Sequence, residues 1–368
     1  MKTNITYIAW ILFLIVLVGL GVYAYSVQLT QGLVVTGMRD TISWGLYISN
    51  FIFFVGLAAG GVVIYASVYL LGAKKFEPLS KIAAALAAIS TMLAMAFIIP
   101  DIGRPDRILN MITSPNSASL LVVDFGILST YLVLCLVDLF LLIKGAKSRI
   151  MIVLSAVSLP FAIGIHSVTA LLLGVLSARP FWNTGILAPV FISSAIVSSL
   201  GLLIVVTILT SRFAGFVFPK NLAPELAKIL AVVIPIDLFL LGVEILTVSY
   251  AAIPEHITPI MFLLAGPYSA GFYAELIFGM VAFFLLVHPS ARKSSKILMA
   301  ASLLAIFGIW LKRFNLLVPG LTLSPTGGIG TYTPTWVEWA VIAGIVAFGV
   351  LVFTLMLKIL PLKPKEEQ

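Results

Sequence analysis

The chain has 368 residues, of which 61% are hydrophobic and 10% charged, with a mean hydropathy of +1.17. Soluble globular chains carry roughly 25% charged residues, so a water-soluble fold is excluded, and no polar stretch is long enough to form a soluble module. The net charge of +8 comes without a basic patch and gives no support to nucleic acid as a partner.

Apolar runs bounded by Pro, Gly and charge predict membrane spans near 7–28, 45–71, 81–101, 119–143, 150–176, 186–211, 227–250, 270–288, 294–312 and 335–360. The expected fold is therefore all-α and polytopic, with about ten transmembrane helices, each of roughly 20 apolar residues. The first run has only Lys2 before it and no small-x-small site after it, which favours a retained span over a signal peptide. In the second span, Gly56, Gly60 and Gly61 with Ala58 and Ala59 permit close helix contact. The third ends in Ile99-Pro-Asp-Ile-Gly-Arg-Pro-Asp-Arg107, where two prolines and Gly103 hold charges in a defined turn at the membrane boundary. Arg104 with Asp101 or Asp106 suits the polar head of an amphipathic ligand; a helix-ending salt bridge is the plainer alternative.

Ionisable residues within spans are costly, roughly 2.5–3.5 kcal/mol each at a helix centre, so each marks a candidate site. In chain order these are Asp124, Asp138, His166, Asp237, Glu244 and Glu275. Asp124 and Glu275 fall one to two turns inside the outer surface. Asp237 and Glu244 share a helix face, about 10 Å apart along it. The acids suggest a proton ladder, against the alternative that each only pairs with a neighbouring helix. His166 is the one histidine placed within a span, since His256 and His288 fall at span ends. A b-type haem takes axial ligands from two facing helices, so a haem-binding cytochrome is not expected. The single Cys135 lies in an apolar run, which leaves no cluster-binding Cys motif, and no metal site is expected.

Orientation follows from Lys and Arg, which stay on the cytoplasmic side of short loops. Of the 22 basic residues, Arg39, Arg104, Arg107, Arg179, Lys312 and Arg313 fall on one side and the other sixteen, including Lys2, Lys363 and Lys365, on the opposite one. Both termini are expected in the cytoplasm, in the cell membrane of a prokaryote. A shift of 140 residues also places Arg39, Gly45, Phe51, Ile52 and Gly61 on Arg179, Gly185, Phe191, Ile192 and Gly201, a weak parallel repeat spanning four helices.

Trp44-Gly-Leu-Tyr-Ile-Ser-Asn50 running into Val55-Gly-Leu-Ala-Ala-Gly-Gly61, then Ile102-Gly-Arg-Pro-Asp-Arg107 and Ala178-Arg-Pro-Phe-Trp182, resembles the NrfD-type membrane subunits of polysulfide reductase-like complexes. Lys312-Arg-Phe-Asn315 and Tyr332-Thr-Pro-Thr-Trp-Val-Glu338 look like the longer, ten-span branch of that family. The resemblance implies one integral membrane domain over 1–368, with a first four-helix bundle within 30–176, a second in 177–318, and flanking helices in 1–29 and 319–368. It implies a quinone-interacting anchor without haem or iron–sulfur cluster of its own. Such an anchor exchanges electrons between menaquinone or ubiquinone and an iron–sulfur or multihaem cytochrome partner docked mainly at its outer face. The family places the quinone head where Asp101, Arg104, Asp124 and His166 fall here, with Tyr131, Tyr47 and Asn50 beside them. Pro100 next to Asp101 departs from members that carry a histidine ahead of the Gly-Arg-Pro turn. Asp138, Asp237, Glu244 and Glu275 form the expected proton path. A proton-coupled secondary transporter and a purely structural anchor are the competing readings; transporters typically show inverted repeats, whereas this one is parallel.

Overall fold

The computed structural model describes residues 5–216, 218–323 and 328–360; Lys2, Lys363 and Lys365 lie outside them. Among the described residues the helices are α1 (Ile5–Gln31), α2 (Leu46–Tyr69), α3 (Ser80–Asp101), α4 (Asn110–Thr113), α5 (Leu120–Lys144), α6 (Ser148–Gly174), α7 (Leu187–Leu209), α8 (Leu222–Ala251), α9 (Pro254–Ala265), α10 (Ser269–Val287), α11 (Ser295–Thr322) and α12 (Trp336–Met356). Ten of them are long and apolar enough to cross a membrane. The shortest of these, α10 with 19 residues, is about 28 Å long, close to the thickness of a hydrocarbon core. The short helices α4 and α9 sit in connections, one after the second long helix of each half.

Local sequence sets the helix ends. Gly145 closes α5 in the left-handed conformation at φ 67°, its N–H donating back to Leu141 and Leu142, a geometry that costs a Cβ-bearing residue more. Pro254 starts α9, where its missing N–H would have had no helical partner. At α12 the Glu338 carboxylate accepts the Thr335 backbone N–H at 3.0 Å and so satisfies the first turn.

Helices α2, α3, α5 and α6 pack together as one bundle and α7, α8, α10 and α11 as a second, in the same chain order. Helices α1 and α12 pair with each other and lean on the first bundle through α3. The two bundles meet through α2 and α7, which are buried nearly all round. Apolar side chains supply no net drive for association in lipid, so close backbone approach does. A Cβ on Gly61 would lie 2.4 Å from the Ala87 Cβ and 2.6 Å from the Ala83 carbonyl oxygen, and one on Gly60 would lie 2.6 Å from the Ser199 Cβ. The small residues expected to allow contact do so, against both α3 and α7.

One expectation is corrected. The sequence reading ends the ninth span at 312 and leaves Lys312 and Arg313 at the following loop, but α11 continues to Thr322 and buries both cations, to 5% and 1% exposure. Charge does not end the helix because Lys312 pairs with a buried carboxylate and Arg313 stacks on a buried ring, and the sequence beyond them, from Phe314 to Thr322, is apolar but for Asn315 and its closing threonine. The basic asymmetry of the loops becomes sixteen against four.

Candidate functional site

Each bundle holds a buried polar centre. In the first, Thr169 of α6 donates to Asp124 Oδ1 of α5 at 2.8 Å, and both are buried. His166, one turn before Thr169, has its Nδ1 2.6 Å from the Ala162 carbonyl. A carbonyl only accepts, so Nδ1 carries the proton and the buried Nε2, which has no hydrogen-bond partner, is left as an acceptor. Deeper along the same two helices, Ser158 donates to Asp138 Oδ2 at 3.0 Å. Tyr131 donates to the Ala58 carbonyl of α2 at 2.9 Å.

The second centre is built on α11. Lys312 donates to Asp237 Oδ2 of α8 at 2.8 Å, and Ser193 of α7 donates to Oδ1 at 2.7 Å. Arg313 stacks 4.1 Å over the Phe191 ring and donates to Ser194 Oγ, while its Nε and Nη1 have no partner. Asn315 donates to Glu275 Oε2 of α10 at 2.8 Å. Glu244 and Glu275 join Lys312 and Arg313 in the wall of a cavity of about 140 Å³ between α7, α8, α9, α10 and α11. His166 and Arg313 occupy corresponding places, each the nineteenth residue of its helix counted from Ser148 and Ser295.

A third cluster ties the flanking helices to the first bundle. Glu338 accepts the Gly37 N–H at 2.7 Å and the Tyr332 hydroxyl at 2.5 Å, and that hydroxyl accepts the Leu46 N–H at 2.8 Å. Burial and the neighbouring Glu338 carboxylate push the Tyr332 phenol above its ordinary range. Nearby, Tyr47 donates to Gln28 Oε1 at 2.7 Å and Gln28 Nε2 to the Pro100 carbonyl at 2.6 Å.

The structure thus ties Asp124 of α5 to Thr169, one turn from His166 on α6, and groups Asp237, Glu244 and Glu275 around Lys312. It does not bring Arg104 to them. Arg104 is exposed and grips Asp106, two residues on, through two hydrogen bonds that hold the Asp106 carboxyl below its usual range. Asp101 ends α3, and its Oδ1 is buried without a hydrogen-bond partner. Asn50 accepts the Trp310 indole N–H at 3.2 Å, linking α2 to α11. As site residues, sequence reasoning misses Lys312, Arg313, Asn315, Ser193 and Ser194. The signal for the first two is available: a buried Asp237 demands a partner, and these cations sit in an otherwise apolar run.

The motifs that carry the resemblance serve as straps. Arg179 donates to the Leu323 carbonyl at 2.8 Å and the Trp182 indole to the Leu316 carbonyl at 2.8 Å, clamping the end of α11. Trp44 stacks on Trp182, joining the segments that lead into α2 and α7.

Ten spans in two like-ordered bundles, with ionisable groups turned into both, define a polytopic helical membrane protein with polar chemistry inside the bilayer. The chain belongs to the NrfD polysulphide reductase family, whose model matches residues 34–325. It is 34% identical to a putative dimethyl sulfoxide reductase membrane subunit of Halobacterium salinarum, over 96% of this chain and 90% of that protein. It is 26% identical to the Hdr-like menaquinol oxidoreductase integral membrane subunit of Archaeoglobus fulgidus, over 98% of this chain and 95% of the relative. Against the integral membrane subunit of the menaquinone reductase of Nitratidesulfovibrio vulgaris the identity is 24%, over 98% and 93%.

Proposed function

We propose that this chain is the quinone-exchanging membrane anchor of a multi-subunit respiratory oxidoreductase. The observation that carries the reading is the buried His166, whose Nε2 has no hydrogen-bond partner, one turn from the Thr169–Asp124 hydrogen bond, in a chain whose relatives are named for menaquinol and menaquinone chemistry. A quinone takes up two electrons and two protons on reduction, and its head group needs a donor or acceptor at each ring oxygen. His166, its tautomer fixed by Ala162, offers Nε2 to a hydroxyl. Thr169 orients Asp124 and leaves Oδ2 free to hold a proton. Asp101 at the mouth of α3 contributes a further carboxyl, with Tyr47, Tyr131 and Asn50 as the surrounding polar groups. Asp138, Asp237, Glu244 and Glu275 carry protons between the site and solvent.

Electrons arrive from a partner bearing iron–sulfur clusters or haems, docked on the face opposite the termini. The sixteen-to-four distribution of loop cations supports placing both termini in the cytoplasm and that docking face outside the cell membrane. The test is Asp124→Asn in the native complex: quinone-linked turnover falls about a hundredfold while the complex still assembles, the scale expected for loss of a general acid–base group. Full turnover in that variant would favour a purely structural anchor.

A further inference from the structure

We infer that the second bundle holds its own binding site for the head group of a neutral, carbonyl-bearing amphipathic ligand of the quinone type. The site is the cavity beside Arg313. Its inner wall carries two kinds of unmet hydrogen-bonding demand: the Nε and Nη1 donors of Arg313, and the Oδ1 acceptor of Asn315, on side chains almost wholly buried. Native interiors rarely leave such groups unpaired, since each orphan costs about 1–3 kcal/mol. The outer wall is mainly apolar, formed by Leu241, Ile245 and Val248 of α8 with Ile260 and Leu263 of α9, and His256 of α9 also lines it. The opposite face of α8 exposes Phe239 and Leu246, as a lipid-facing helix does. A polar floor under an apolar wall next to lipid takes a molecule with a polar ring and a hydrocarbon body.

Charge decides the class. A phosphate would seek two free cations, but Lys312 is already committed to Asp237, and Glu244 and Glu275 on the same wall repel an anion. A ring carbonyl can accept from Arg313 without adding charge, and a ring hydroxyl can donate to Asn315 Oδ1. The place is also the counterpart in the second bundle of the His166 position in the first. The inference rests in part on the quinone reading of the chain, from which the following experiment separates it.

The complex purified from native membranes is labelled with a photoreactive naphthoquinone and the labelled peptides are mapped by mass spectrometry. Two labelled regions are expected, one on α5 and α6, the other on α8 and α11. Leu241→Trp, which fills the cavity without touching a charge, and Arg313→Gln should each lower the second labelling about tenfold, the worth of one good hydrogen bond to a charged group, and leave the first in place. Label on α5 and α6 alone overturns the second site and leaves the quinone reading standing; label in neither region overturns both. Second-region label that survives Leu241→Trp, or that phospholipid displaces and unlabelled naphthoquinone does not, also overturns it.

Discussion

Lys312 and Asp237 form a buried ion pair between α11 and α8. Removing one partner of such a pair leaves an uncompensated charge and typically costs about 3–5 kcal/mol, whereas replacing both with apolar residues is often neutral. Lys312→Met and Asp237→Leu should each lower the thermal midpoint of the detergent-purified complex, and the double variant should recover it. If Asp237 also passes protons, the double variant regains stability without regaining quinone-linked turnover, which separates the structural role from the chemical one. Glu338 makes a simpler case. Its carboxylate receives three donors, so Glu338→Ala should cost several kcal/mol at about 1–3 kcal/mol for each donor left unpaired, with Glu338→Gln intermediate. Thermal unfolding followed by intrinsic fluorescence reads both.

At the scale of elements, the small residues of α2 set how close the central helices come. A Cβ on Gly61 would collide with Ala83 backbone and the Ala87 methyl, whereas one on Gly56 would find its nearest neighbours at 3.6 Å, ordinary contact. Gly61→Ala should therefore destabilise the detergent-purified protein by roughly 1–3 kcal/mol and Gly56→Ala by much less. The helices are legible in the sequence because a bilayer demands long apolar runs and punishes charge at their centres. Nine of the ten spans fall within a few residues of their expected places. The exception, α11, departs because the rule that charge ends a span holds only for charge without a buried partner, and the partners Asp237, Ser194 and Phe191 lie on distant helices. Helices α4 and α9 are hidden in connections too short to show a membrane signal. Of the candidate site, the buried acids and His166 can be read from depth alone. Ser193 and Asn315 cannot, because an isolated hydroxyl or amide in an apolar run carries no pattern until the facing helix is known.

The whole molecule consists of two bundles of four helices in the same order, joined back to back through α2 and α7 and flanked by the α1 and α12 pair. His166 and Arg313 hold like places in the two bundles, each the nineteenth residue of its helix, and α4 and α9 each follow the second long helix of their half. In the proposed orientation, single cysteines introduced into a Cys135→Ala background near Ala146 should react with an impermeant thiol reagent only from the cytoplasm, and near Ser117 only from outside; the reverse pattern would invert the protein and its docking face. The decisive experiment is purification from native membranes in mild detergent, with mass spectrometry of the co-purifying proteins and extraction of bound quinone. Quinone recovered together with an iron–sulfur or multihaem partner is the predicted result. The chain recovered alone and free of quinone from intact membranes would contradict the proposed function and favour a transporter.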